Sequence, residues 1–134
     1  MFERINHVGI AVAELDEALA RYDEQFGAEL LHREVLDDGT IDAALVSAGD
    51  GRLELVASLA PDTPLGRFLV RRGPGVHHVA YEVADIDAAL ADLRARDVRL
   101  VDDVARPGIR GTRIAFVHPS SCLGVLTELV ETAS

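Results

Sequence analysis

The sequence predicts an α+β chain in which one β-α-β-β-β module is used twice, the two copies forming a curved, barrel-like sheet. Three observations predict it. The stretch "NHVGIAVAELDEAL" from Asn6 returns as "HHVAYEVADIDAAL" from His77, nearly residue for residue. Each copy opens with strand-like alternation and passes into helical spacing. Each helix is then followed by three apolar segments of strand length.

In the first strand His7, Gly9 and Ala11 share one face, and Val8, Ile10 and Val12 the other. In the second copy His78, Ala80 and Glu82 lie opposite Val79, Tyr81 and Val83, and this parity puts His77 on the face away from His78. Leu15, Ala18, Leu19, Tyr22 and Phe26 recur at helical spacing, and Gly27 supplies a stop. Asp85 reads as the N-cap of a helix carrying Ile86, Ala89, Leu90 and Leu93. The remaining strands of copy one are "ELLHREVL", "IDAALVSA" and "RLELVAS", with Gly49–Gly51 as a hairpin turn. Those of copy two are "VRLVDDV", "TRIAFVH" and "GVLTELVET". A short helix over Pro64–Arg72 joins the copies and ends at the turn-forming Gly73, Pro74 and Gly75. The chain is thus read as one domain, with module one at about 5–58, a linker at about 61–75 and module two at about 76–132.

Composition narrows the function classes. The 134 residues carry a formal charge of −10, which argues against duplex nucleic acid and anionic membrane surfaces as partners. All 13 basic residues are arginine. Aromatic residues are too few for a base-stacking platform. No apolar run approaches membrane-spanning length, the start has no signal-peptide layout, and the single cysteine, Cys122, excludes an intrachain disulfide. Cytoplasmic residence is the expectation.

Polar residues also recur in register. His7 answers to His78, and "LELV" to "TELV", so Glu54 answers to Glu128 after three extra residues in "PSSCLG". A lone strand histidine is usually packed and hydrogen-bonded. Two imidazoles and two carboxylates at equivalent places are harder to explain as decoration, and they suit a divalent first-row metal. His32 has no counterpart and is read as a surface residue. His118 before Pro119 reads as a turn or cap residue, and nothing marks Cys122 as an activated thiolate. Arg67, Arg71 and Arg72 are read either as a solvated helix face or as a steering patch for nucleotide phosphates.

These stretches, together with "TPLGRFLVRRGPGVHHVAYEV" and "HPSSCLGVLTELV", resemble the methylmalonyl-CoA epimerase family of the vicinal oxygen chelate (glyoxalase/bleomycin resistance) superfamily. The resemblance covers nearly the whole chain. It implies the vicinal oxygen chelate fold and a metal held by His7, Glu54, His78 and Glu128. It makes Co2+ the first expectation for the ion, ahead of Mn2+, Ni2+, Zn2+ or Mg2+, and implies an acyl-CoA substrate and a homodimer. It implies proton transfer through a metal-stabilised enolate, with Glu128 as ligand and possible base. The family's other base is a glutamate on the third strand, where Ala43 stands. Asp42 is adjacent, and a one-residue slip in the preceding turn would make it the catalytic carboxylate. Without that slip, a decarboxylase or another isomerase of an acyl thioester is the alternative. A metal-free, drug-sequestering protein on the same scaffold fits less well, because all four ligand-type residues are kept.

Overall fold

The computed structural model describes residues 1–133. The order is β1 (Arg4–Ala11), α1 (Leu15–Phe26), β2 (Leu30–Leu36), β3 (Ile41–Ala48), β4 (Gly51–Ser58), α2 (Pro64–Arg72), β5 (Gly75–Glu82), α3 (Ile86–Ala95), β6 (Arg106–Pro107), β7 (Arg113–Val117) and β8 (Thr127–Glu131). Two compact units result. One is Val8–His77; the other combines Met1–His7 with the chain from His78 onward. The division therefore falls inside β1 and β5, just after each strand's site histidine in one case and just before it in the other. The linker helix α2 belongs with the first-module strands.

In the Val8–His77 unit, β3 lies antiparallel between β2 and β4, and β4 runs parallel to β1. Helix α1 covers one face of these strands. Leu15 packs with Ala44, Val46, Leu55 and Ala57, flanked by Ala18, Leu19 and Tyr22. The 3.6-residue repeat of α1 meets the two-residue repeat of β3 and β4 on that face. The helix stops at Gly27, whose φ of 64° is the left-handed C-terminal conformation that glycine adopts without steric cost. Helix α2 starts with Pro64, which has no N–H to leave unpaired, while the Thr63 hydroxyl accepts from Gly66 N–H at 2.9 Å.

The second unit repeats the plan. Here β5 runs parallel to β8, which is antiparallel to β7. Helix α3 packs Ile86, Ala89 and Leu90 onto Val83, Ala115, Val117 and Leu129. Asp85 caps α3 by accepting from Ala88 N–H at 3.0 Å, as its sequence position predicts.

One predicted strand is largely replaced. Only Leu100, in a single bridge to Val117, and the two-residue β6 pair with β7 along this edge. The reason is a side chain. Asp102 Oδ2 accepts the Phe116 N–H at 2.8 Å, a donor that a neighbouring strand would otherwise satisfy. Val101 and Asp102 N–H both donate to Phe116 O, so one residue of β7 absorbs the local pairing. Among the described residues no helix is long and apolar enough to cross a membrane.

Leu90 is 2% exposed in the α3 core. Leu90→Ala is expected to cost about 2–5 kcal/mol, read from the denaturant midpoint.

Candidate active site

Strand parity builds the site. In β1 the buried residues alternate as His7, Gly9 and Ala11; in β5 they alternate as His78 and Ala80. The parallel register sets Glu54 of β4 beside Gly9, and Glu128 of β8 beside Ala80. Residues level with one another in adjacent strands point to the same side. Each module thus places a glutamate level with the residue two beyond its histidine, on the histidine's own face. The repeat seen in the sequence is a repeat in three dimensions.

Three of these groups converge within one unit. His7 Nε2 lies 3.1 Å from His78 Nε2. Glu128 brings Oε1 to 3.7 Å from His7 Nε2 and Oε2 to 3.3 Å from His78 Nε2. The two imidazole planes stand at 86°, and His78 also meets Phe116 edge-on, with ring centroids 5.4 Å apart. All three polar side chains are nearly inaccessible to solvent. Donors held about 2.0–2.1 Å from a first-row cation sit roughly 3 Å apart when at right angles, which is the spacing found. The donor set therefore fits a divalent metal.

A hydrogen-bond chain fixes one of these donors. His7 Nδ1 is 2.7 Å from Asn6 Oδ1, an acceptor, so Nδ1 carries the proton. That leaves His7 Nε2 with its lone pair directed at His78 and Glu128. Asn6 is itself oriented, because its Nδ2 donates to Glu82 Oε2 at 3.3 Å and Arg4 Nη1 donates to Glu82 Oε1 at 2.7 Å.

Glu54 lies in the Val8–His77 unit, level with Leu45 on β3 and 6% exposed. Burial pushes its carboxyl up to about 7, and the negative charges of Asp37 and Glu34 add to the rise. A buried carboxylate facing two others is costly unless a cation compensates it.

The structure also places the residues around the missing glutamate. Ala43 is level with Val56 and Glu34, and so shares the face of Glu54. Asp42 is on the other face, level with Val35 and Ala57. There Arg33 grips it with Nε at 3.2 Å and Nη2 at 2.8 Å, while Arg33 Nη1 reaches Asp16 of α1 at 2.6 Å. Asp42 is thus on the face opposite that of Glu54. His32, read as a surface residue, has a side chain 37% exposed; it lies level with Leu45 on the Glu54 face, and its Nε2 is 2.9 Å from Glu34 Oε1. The His-x-Glu spacing was visible in "HRE", but only the β2–β3 register shows which residue it faces.

Other singled-out residues have structural contacts. His77 packs edge-on against Phe68 of α2, and burial lowers its basicity. His118 Nδ1 accepts from Ser120 N–H and caps a short turn. Arg67 pairs with Asp62, and Arg72 lies over the Phe68 ring.

The chain belongs to the glyoxalase/bleomycin resistance protein/dioxygenase superfamily, whose family model matches residues 6–116. Within it, the similar proteins include methylmalonyl-CoA epimerases. The mitochondrial enzyme of Bos taurus is 37% identical over 127 residues, 94% of this chain and 73% of that protein. The ethylmalonyl-CoA/methylmalonyl-CoA epimerase of Cereibacter sphaeroides is 33% identical, covering 96% of this chain and 98% of its own. A solved methylmalonyl-CoA epimerase in complex with methylmalonyl-CoA and NH4+ superposes with a TM-score of 0.96 at 38% identity, covering 100% of this chain and 97% of that one. The Mycobacterium tuberculosis epimerase gives 0.93 at 41% identity, over 99% of this chain and 90% of that one. The fold is that of the vicinal oxygen chelate proteins, as the resemblance implies.

The raised Glu54 pKa has a direction that thermal denaturation can read. Because the folded protein holds this proton more tightly than the unfolded chain, the contribution is full below about 4.5 and is lost as pH rises through about 7. In metal-free protein the wild type should lose stability over that window relative to Glu54→Gln, whose amide does not titrate.

Proposed function

We propose that this chain is a metal-dependent epimerase of methylmalonyl-CoA or a related 2-substituted malonyl-CoA. The observation that carries the reading is the convergence of His7, His78 and Glu128, with Glu54 at the equivalent place in the other module. On this reading the four side chains hold one divalent cation. Nitrogen and carboxylate donors suit Co2+, Mn2+, Ni2+ or Zn2+, and the family resemblance favours Co2+. The bound cation supplies Lewis-acid stabilisation to the enolate oxygens of a chelated malonyl thioester.

The protein's own residues do the rest. His7 is held in one tautomer by Asn6, so its Nε2 lone pair needs no reorganisation before binding. Glu128 offers two oxygens toward the histidines and doubles as a candidate proton carrier. Epimerisation removes a proton from one side of the α-carbon and delivers one to the other, which calls for a group on each side. The malonyl carboxylate, being an anion, adds to the need for a cation among so many acidic side chains. A cytoplasmic homodimer is part of the same proposal; the homodimer rests on the family resemblance, and the compartment on the single cysteine, which fits a reducing environment.

The test is direct. Protein purified without chelator should hold one divalent ion per chain by elemental analysis. When it is given one epimer of methylmalonyl-CoA in deuterated water, the other epimer should appear together with deuterium at the α-carbon, and chelation should stop both. A metal-loaded protein that produces neither would overturn the assignment. Ala43 in the place of a base favours one competing reading, a decarboxylase, which would release carbon dioxide and leave the remaining substrate unlabelled. Asn6→Leu removes the acceptor for His7 Nδ1–H, and metal affinity should fall about 10- to 100-fold by competition titration.

A further inference from the structure

The side chain that replaces a strand in module two has a second use. We infer, resting on the metal-dependent reading, that Asp102 and Arg106 are positioning residues for the metal centre. Through Phe116 they hold the His78 ring at the angle at which it meets His7 and Glu128. Every residue of this device belongs to the unit that carries those three ligands.

Register sets the face. Phe116 is level with Glu128, and Glu128 with Ala80, so the three form one row across β7, β8 and β5. Arg106 is level with Ile114, which is level with Val130. Ala80, Ile114 and Val130 make a small core against which Phe116 packs. It lies on the face away from α3, whose core takes Ala115, Val117 and Leu129. Arg106 is therefore rooted on the face of His78 and Glu128. A Cβ on Gly108 would stand 2.6 Å from Ile114 Cγ2, so glycine lets the chain just after Arg106 run this close to β7.

Phe116 is held at its backbone and at its ring. Asp102 Oδ2 accepts its N–H at 2.8 Å, and its carbonyl accepts from Val101 and Asp102 N–H at 2.9 and 3.2 Å. Asp102 Oδ1 accepts from Arg106 Nε at 3.2 Å. Arg106 in turn sets its guanidinium carbon 5.6 Å from the Phe116 ring centroid, where the electron-rich face attracts a cation. One carboxylate thus ties together a backbone amide and the cation over that residue's own ring. His78 meets the same ring at 89°, with centroids 5.4 Å apart. Edge-on aromatic contact is directional. Rotation of the His78 ring about its bond to Cβ would break it and carry Nε2 off the line to His7 Nε2, 3.1 Å away.

The two copies hold their histidines differently. In module one Leu45 takes the place of Phe116, level with Glu54 as Phe116 is with Glu128. In module two His77 takes the place of Asn6, the residue that holds His7 by a hydrogen bond. The aromatic ring and its clasp occur in the copy that has no asparagine there.

The test titrates the metal-free full chain with Co2+ against a competing chelator and follows the histidine ring protons by NMR. Arg106→Met keeps an apolar stem and removes the cation. Asp102→Asn keeps an acceptor for Phe116 N–H and removes the charge on which Arg106 rests. Each should lower Co2+ affinity about 10-fold. Each should also shift the His78 ring resonances, which the Phe116 ring current displaces, with those of His32 and the metal-free melting temperature held. Arg106→Lys, which returns a cation to the ring, should recover most of both effects. Wild-type affinity and unmoved His78 resonances in both variants would overturn the inference and leave the metal reading standing. So would an affinity loss that follows the melting temperature down while the His78 resonances stay. A wild type that takes up no divalent ion would remove the metal reading and the inference with it, a result read without any variant.

Discussion

The structure depends on one pairing, made twice: the last strand of each module lies parallel to the first. In β1–β4 this sets Glu54 level with Gly9, and in β5–β8 it sets Glu128 level with Ala80. Small residues at those two positions of the first strand let the glutamate share the face that its module's histidine occupies. Because side chains alternate strictly, a shift of one residue would send each glutamate into the helix-covered core instead. The apolar packing of Leu55 and Ala57 under α1, and of Leu129 under α3, guards against that shift. Core and site are thus opposite faces of the same ladders, each holding the other in register.

Burial then gives the site its chemistry. His7, His78, Glu54 and Glu128 are all nearly inaccessible, yet each carries a group that water would solvate well. Glu54 shows the consequence, with its carboxyl held near neutrality by burial and by neighbouring negative charge. Such a set is stable when its members share protons or a cation. The spacings around His7 Nε2 suit either use.

Much of this was legible in the sequence because duplication makes register visible. The recurrence of "NHVGIAV" as "HHVAYEV" and of "LELV" as "TELV" located the four ligand-type residues without knowledge of any contact. The helices were also readable, since Gly27 and Asp85 mark two of their ends with local chemistry. Two things were not. Asp102 acts through its side chain on a backbone amide of β7, so the apolar stretch around it reads as a strand that forms only in part. At "IDAALVSA" both faces are apolar, and parity could not be read. Only the ladder shows that Arg33 draws Asp42 toward α1 and that Glu34 and His32 face the other way.

The chain of contacts from Arg4 through Glu82 and Asn6 to His7 runs from a largely exposed guanidinium to an imidazole that is 2% exposed. Its outer link is an ordinary surface ion pair, weakened as salt screens the charges. The inner links are geometric and feel no such screening. A buried ring is thereby oriented from the solvent side: the tautomer of His7 is set through Asn6 and Glu82 by a relay whose first member, Arg4, water reaches.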